Sequence, residues 1–176
     1  MKILVLNAGS SSLKFELFDG DKSRLKGLAQ RIGEERGHIR INDWEKEIRL
    51  QDHGDALKLL IEYMHVHPET AGSAEEIRAV GHRVVHGGSD FVRPVIIDEK
   101  VKAKIRELFS LAPLHNPANL TGIETAEKYF PRAVQVAVFD TAFHQSIPEE
   151  EHRYAIPEKY YREGIRQYGF HGISHQ

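Results

Sequence analysis

The stretch ILVLNAGSSSLKFELF, residues 3–18, places two apolar runs on either side of a polar turn. Ile3–Asn7 reads as one strand and Leu13–Phe18 as the next, because apolar residues alternate along the second run. The turn between them carries an asparagine, a glycine, three serines and, just inside the second strand, Lys14. Far less specialised residues would suffice for an ordinary polar turn, so this hairpin is the first candidate for a functional role.

Beyond the hairpin, the chain predicts more strands first and helices later. The runs Arg24–Gln30, His38–Ile41 and Lys46–Leu50 indicate an antiparallel meander. Helical periodicity then begins near His53 and ends before Pro68. The elements predicted after it are strand Ile77–His86, strand Val92–Ile97, a helix capped by Asp98, a helix opened by Asn116 as cap and Pro117 as first residue, buried strand Ala133–Phe139, a charged surface segment Ser146–Gln167 and the start of a helix at Gly172. This order predicts an α/β fold with a mixed sheet.

Composition excludes several classes of function. The chain has 176 residues, a formal net charge of −2 and no cysteine. A charge near zero gives no electrostatic basis for binding nucleic acid or an anionic membrane, and no apolar run is long enough to span a bilayer. The absence of cysteine excludes disulfides, thiolate zinc sites and cysteine nucleophiles, and it fits a cytoplasmic location.

The residues of the opening turn are suited to phosphate. They do not form a Walker A loop, because a strand and not a helix follows. A glycine lets successive backbone N–H groups point at an anion, serine hydroxyls add donors, and a lysine adds positive charge. An asparagine at the end of the first strand can hold a hydrated cation or a phosphoryl oxygen. The residues concerned are Asn7, Gly9, Ser10, Ser11, Ser12 and Lys14; the alternative is an Asn-Gly type of turn with solvated serines.

Four later stretches carry further candidate residues. In VGHRVVHGG (80–88), strand alternation puts Arg83 and Val85 on one face, which suits an anion with a small apolar tail. LAPLHNPAN (111–119) brings His115 to a helix N-terminus. VAVFDTAFH (136–144) places Asp140 at the end of an apolar strand, and YGFHGISH (168–175) sets His171 between glycines. Taken singly, each also has a structural interpretation: a surface-paired arginine, a cap, a turn and a glycine-rich connection.

Together these stretches resemble one family. NAGSSSLKFELF, VGHRVVHGG, LAPLHNPANL, VFDTAFHQSIP and YGFHGISH occur in the order found in the amino-terminal half of acetate kinases. The resemblance implies a ribonuclease-H-like core of the kind found in actin, Hsp70 and sugar kinases. It also implies reversible phosphoryl transfer from ATP to acetate, giving ADP and acetyl phosphate, with Mg²⁺ or alternatively Mn²⁺ as the metal.

The resemblance also implies roles for the candidate residues. Asn7 would hold the metal, Gly9–Ser12 and Lys14 would bind nucleotide phosphate, and Asp140 and His171 would be catalytic. Substrate would be bound by Arg83 and His115, with Val85, Leu114 and Phe170 around its methyl group. Since a carboxyl group has a pKa near ~4, acetate needs no base at neutral pH. We therefore expect an electrostatic and metal-organising role for Asp140.

The resemblance covers only part of a typical acetate kinase. It implies that residues 1–176 form the amino-terminal, acetate-side domain, and that a carboxyl-terminal nucleotide-binding domain lies outside this chain. Accordingly, we expect the chain alone to be inactive and monomeric, whereas the complete enzyme would be a homodimer. Its partners would be small molecules, namely acetate and ATP.

Three alternatives remain open from the sequence. A propionate or butyrate kinase would use the same chemistry with a different pocket volume. A zinc hydrolase would use the pairs His82/His86 and His171/His175, each four residues apart, with Asp140, although no HExxH motif is present. A non-catalytic binding module could also retain this fold.

Overall fold

The first five strands form the antiparallel meander that the sequence predicts. A computed structural model describes all residues, Met1–Gln176. Its strands are β1 (Lys2–Ala8), β2 (Ser12–Asp19), β3 (Lys22–Gln30), β4 (Gly37–Ile41), β5 (Trp44–Ile48), β6 (Ile77–Val84), β7 (Val95–Ile96) and β8 (Val134–Phe139). They join in one mixed sheet in the order β5-β4-β3-β2-β1-β6-β8-β7.

The sheet is antiparallel on one side of β1 and parallel on the other. Strands β1 to β5 pair antiparallel, whereas β1, β6 and β8 run parallel to one another. In the β1–β2 hairpin Asn7 pairs with Lys14. The alternation predicted for β2 is confirmed, since Leu13, Phe15 and Leu17 are buried and Lys14 lies on the other face. Parallel strands end at the same edge of a sheet, so the residues that end or follow β1, β6 and β8 come together there.

Seven helices complete the fold. They are α1 (His53–Val66), α2 (Pro68–Ala71), α3 (Glu99–Glu107), α4 (Asn116–Tyr129), α5 (Glu149–His152), α6 (Glu158–Arg162) and α7 (Gly172–His175). Asp98 caps α3 as predicted, its side chain accepting the Val101 N–H at 2.8 Å. In the same way Asp52 caps α1, accepting the Asp55 N–H at 3.1 Å. None of the helices has the length and apolar character needed to cross a membrane.

Two apolar clusters hold the sheet and helices together. The larger contains 21 buried residues, contributed mainly by β1 to β4 and the apolar face of α1, including Leu57, Leu60 and Met64. The smaller contains seven buried residues from β6, β8, α3, α4 and the segment around Ile97. Helices α1 and α4 pack on each other and on one face of the sheet.

Two predictions near the end of β6 are wrong. Asn116 is the first residue of α4 and not its cap, which is His115, and Pro117 is therefore second. Strand β6 stops at Val84, two residues short of the predicted end. The cause is that side chains and not a neighbouring strand bind the next main-chain N–H groups; the pairs are Val85 with Asn119, His86 with Asn116 and Gly87 with Thr141.

Smaller differences concern edge strands and the surface segment. Of the predicted strand 92–97 only Val95–Ile96 forms, immediately after Pro94, which has no N–H to donate to a ladder. Strand β5 starts at Trp44, because a tight turn returns the chain at once to pair with Ile41. The mostly exposed segment 146–167 contains the short helices α5 and α6.

Candidate active site

Three predicted site residues meet where β1, β6 and β8 end. Asp140 follows β8 and accepts two hydrogen bonds on its Oδ2 from Arg83 of β6, at 3.0 Å from Nε and 2.5 Å from Nη2. Arg83 also donates from Nη1 to Asn7 Oδ1 on β1, at 3.5 Å. The parallel arrangement of these strands explains the contact, since it brings residues 57 and 76 positions apart in the sequence together.

Asp140 is fixed by main-chain bonds as well as by Arg83. Its N–H donates to the Val84 carbonyl at 3.0 Å, and its carbonyl accepts the Gly172 N–H at 2.8 Å. The Asp140 side chain is 2 % exposed, whereas that of Arg83 is 33 % exposed. The carboxylate therefore sets the plane of the guanidinium, and the guanidinium presents its remaining surface to solvent and ligands.

A cavity of about 490 Å³ opens beside this pair. Its polar side is formed by Arg83 and Asp140, and its apolar side includes Val85, which is buried, and Leu114, which is 77 % exposed. All seven residues predicted for catalysis and substrate binding line it: Arg83, Val85, Leu114, His115, Asp140, Phe170 and His171. A cationic end next to an apolar wall is the arrangement that a short-chain carboxylate or acyl phosphate needs.

Asn7 and Lys14 lie on the other side of Arg83. They line a second cavity of about 350 Å³ on the open face of the sheet, together with Gly81, Val138 and other strand residues. Arg83 is common to both cavities, so its guanidinium lies between the predicted substrate residues and the predicted phosphate residues.

The hairpin loop differs from the predicted anion nest at Gly9. The Gly9 N–H donates to the Ser12 carbonyl at 2.9 Å and is therefore not free to bind phosphate. The Gly9 carbonyl is hydrogen-bonded by His53 Nε2 at 2.8 Å. Gly9 is needed for close packing, because a Cβ there would lie 2.8 Å from Ser12 Oγ. Neither Ser10 nor Ser11 lines either cavity, so phosphate binding by the serines stays a prediction.

His171 has an unusual backbone conformation. Its φ of 58° and ψ of 26° are left-handed, which costs a residue with a Cβ about 1–2 kcal/mol. The segment is held by His144, whose Nε2 donates to the Phe170 carbonyl at 2.9 Å, and by the bond from Gly172 to Asp140. A Cβ on Gly172 would collide with the Asp140 carbonyl oxygen. These contacts hold His171 and Phe170 at the cavity.

Several residues of the site region were not identified from sequence. His144 and Thr141 hold main-chain groups around the cavity, and His53 holds the hairpin loop. Asn116 was interpreted as a cap, yet its side chain binds both the N–H and the carbonyl of His86 at 3.0 Å. For Asn116, Thr141 and His144 the available signal was a polar side chain inside the motifs 111–119 and 136–144, whereas His53 lies in no such motif.

The histidine pairs of the zinc hypothesis do not converge. His82 Nε2 donates to Gln135 Oε1 at 2.8 Å, and burial lowers the pKa of His82 to about 4. His86 packs against the rings of Tyr168 and Phe170, and burial lowers its pKa too. No three His, Cys, Asp or Glu residues of the chain are grouped so that they could hold a metal ion. The structure offers zinc no set of ligands.

Sequence comparisons agree with the motifs. The Acetokinase family model matches residues 2–176. The acetate kinase of Thermotoga petrophila is 51 % identical over 187 residues, and acetate kinase 1 of Listeria monocytogenes is 48 % identical over 182. The alignments cover 100 % and 99 % of this chain but 46 % of each relative, so the chain spans about half the length of the curated relatives it matches.

Solved structures agree with the fold. A propionate kinase from Francisella tularensis and the acetate kinase of Porphyromonas gingivalis each superpose with a TM-score of 0.89 at 40 % identity, covering 99 % of this chain and 46 % of theirs. The acetate kinase of Entamoeba histolytica superposes with a TM-score of 0.78 at 34 % identity, covering 99 % of this chain and 43 % of its own. The predicted fold class is confirmed, and the chain belongs to the acetokinase family of phosphotransferases.

Proposed function

We propose that residues 1–176 form the acetate-side wall of a kinase that transfers a phosphoryl group reversibly between ATP and acetate. The observation that carries the proposal is the 490 Å³ cavity, in which the Arg83–Asp140 pair stands next to an apolar wall. A carboxylate bound there would direct its oxygens to Arg83 and its methyl group toward Val85. His115 and His171 are at the same cavity and would contact substrate or the transferred group.

The proposed mechanism depends on positioning and charge. Phosphoryl transfer spreads negative charge over the equatorial oxygens, so donors and cations placed before the reaction supply most of the catalysis. Arg83 would stabilise that charge, and Asp140 would hold the guanidinium in place through two hydrogen bonds. Acetate is already ionised at neutral pH, so neither Asp140 nor His171 has to remove a proton from it.

The residues beside Arg83 fit a magnesium ion. Asn7 Oδ1 and the Asp140 carboxylate are both oxygen donors, and both contact the Arg83 guanidinium. Mg²⁺ commonly keeps several waters and binds one or two protein oxygens together with substrate phosphates. When bound with ATP it would neutralise charge on the phosphates. Asn7 and Asp140 are therefore the proposed metal-holding residues, with Lys14 as a phosphate contact on the open face of the sheet.

We further propose that the cleft is divided between two domains. The site is open on one side, as the 77 % exposure of Leu114 indicates, and a second domain carrying the nucleotide would face it. Closure of one domain on the other excludes water and completes a charge clamp in many kinases. This supports the expectation that residues 1–176 alone do not make acetyl phosphate.

The test compares the 176-residue chain with a chimera in which these residues are joined to the carboxyl-terminal part of the Thermotoga petrophila acetate kinase. Both are assayed for acetyl phosphate with ATP, Mg²⁺ and acetate. We expect turnover by the chimera and none by the chain. The matched control is the chimera with His171→Ala, in which kcat falls while KM changes little. Robust turnover by the monomeric chain, or a folded chimera inactive on every short carboxylate, would contradict the proposal.

A propionate kinase is the second candidate. The Francisella tularensis propionate kinase superposes as well as the Porphyromonas gingivalis acetate kinase, at the same identity. The apolar side of the cavity is exposed to solvent at Leu114, and we propose that one more methylene can be placed there. The ratio of kcat/KM for acetate and propionate in the chimera distinguishes the two.

A further inference from the structure

The ladder between β1 and β6 stops before either strand ends. Its last pair is Leu6 with His82, although β1 continues to Ala8 and β6 to Val84. Beyond that pair β1 stays bonded to β2, and β6 stays bonded to β8. The two central parallel strands therefore separate over their last two residues, where Asn7 and Arg83 are located.

One side chain occupies the gap. Continuing the register would pair Ala8 with Val84 and direct the Val85 N–H at the Ala8 carbonyl. Instead, Asn119 of α4 lies between these two groups: its Oδ1 accepts the Val85 N–H at 3.0 Å, and its Nδ2 donates to the Ala8 carbonyl at 2.7 Å. The Asn119 amide thus replaces one direct main-chain hydrogen bond between β1 and β6 with two side-chain hydrogen bonds, which span a greater distance.

The position and orientation of this amide are strictly determined. Val85 offers only a donor and Ala8 only an acceptor, so a single orientation of the amide satisfies both. Asn119 is 3 % exposed, so the amide is enclosed by the protein. One turn later Gly122 touches Ala8, and a Cβ there would lie 2.6 Å from the Ala8 Cβ. Helix α4 is thereby seated directly on the end of β1.

The two bonded residues are next to the site residues. Ala8 follows Asn7 in the chain, and Val85 is both two residues after Arg83 and part of the cavity wall. Building on the function proposed above, we propose that Asn119 is a positioning residue: by bridging Ala8 and Val85 it sets the separation of Asn7 and Arg83, and so the width of the site between phosphate and carboxylate.

The first experiment uses the 176-residue chain and needs no catalysis. Amide hydrogen exchange and the affinity for inorganic phosphate are measured by NMR for Asn119→Ala and for Asn119→Ser, which keeps one hydrogen-bonding group if the alanine variant fails to fold. The matched control is Asn116→Ala, an equally buried asparagine of the same helix that bonds only to His86. We expect at least about tenfold faster exchange at Val85 and weaker phosphate binding in the Asn119 variants. In the control we expect faster exchange at His86 but not at Val85.

The second experiment measures kcat and KM in the chimera. Misplacing reacting groups by about 1 Å can cost on the order of 10²-fold, so Asn119→Ala is expected to lower kcat about 10- to 100-fold with a small change in KM. Adding Asn7→Ala makes a double-mutant cycle. If Asn119 acts through Asn7, the two effects are not additive, whereas a general loss of stability would leave them additive.

The outcomes separate this proposal from the function on which it rests. If the chimera is no kinase, the exchange and phosphate measurements on the chain still test Asn119. Phosphate affinity and kcat in the Asn119 variants equal to those of the unsubstituted protein would overturn the positioning role. Additive effects with Asn7→Ala would overturn it as well.

Discussion

The two ends of the sheet are held together by different forces. The meander β1–β5 with α1 encloses most of an apolar cluster of 21 buried residues, whereas the cluster between β6, β8, α3 and α4 has seven. Of the ten buried polar or charged residues, nine lie between His82 and His152, the part of the chain that contributes all of the smaller cluster. Apolar burial is strong but non-directional, whereas hydrogen bonds fix particular atoms in place. We therefore expect the first region to supply most of the stability, and the second to supply the defined geometry of the candidate site.

The largest effect should come from breaking the apolar region. Leu60 of α1 is completely buried, so Leu60→Ala should lower the free energy of unfolding by about 2–5 kcal/mol. Phosphate binding by the folded fraction should be unchanged, because Leu60 is not at the site. Urea denaturation measures the loss, with the exposed Val66→Ala of the same helix as control. A loss no larger than that of the control would show that the meander is not the stable half.

Removing the Arg83 guanidinium from the polar region should lower the rate of catalysis. Arg83→Ala in the chimera should reduce kcat by about 10²–10³-fold, as loss of one transition-state donor typically does. The control is Arg78→Ala, an exposed arginine on the same strand. Turnover of the Arg83 variant close to that of the control would remove Arg83 from the proposed mechanism.

The polar region should also make stability depend on pH. Burial lowers the pKa of His82 to about 4, so the folded state resists a proton that the unfolded state binds near pH 6.5. Stability present above pH 6.5 should therefore be lost as the pH falls toward 4, by a total on the order of 3 kcal/mol. Urea denaturation at several pH values measures this, and His82→Gln should flatten the curve whereas the exposed His65→Gln should not. An unchanged slope in the His82 variant would contradict the assignment.

The smallest effect concerns acyl specificity. Val85→Ala should enlarge the apolar wall and shift the preference from acetate toward propionate. One methylene in an apolar pocket changes discrimination between two substrates by about 1–3 kcal/mol. Because Leu114 leaves one side of the pocket exposed to solvent, we expect a change in discrimination in the lower part of that range. The ratio of kcat/KM for the two acids in the chimera measures it, with the exposed Val92→Ala as control. An unchanged ratio would exclude Val85 from substrate contact.

Much of the fold could be predicted because its signals are local. The alternation in β2 and the Asp98 cap depend on residues a few positions apart, and both are confirmed. The wrong predictions at Asn116 and at the end of β6 share one cause. A side chain that looks like a cap in the sequence binds the main chain of a distant strand, and so it ends that strand early.

The candidate site likewise has some features that the sequence indicated and others that it did not. The motifs indicated Arg83 and Asp140 without any structure, because the order of the motifs resembles one family and strand ends are a usual place for charged site residues. They gave no sign that the Gly9 amide is occupied by Ser12 or that His144 holds the Phe170 carbonyl. Those contacts depend on how the loops pack, which a local pattern does not encode.

By itself the sequence determined the order of strands and helices, the family and the types of side chain at the site. Only the tertiary structure decided how far apart those side chains stand. Asn119 lies 34 residues from Val85 and 111 from Ala8, and no periodicity links positions so distant. The physical reason is that apolar patterning acts through burial, which tolerates small displacements, whereas a buried amide between two main-chain groups has one orientation that satisfies both.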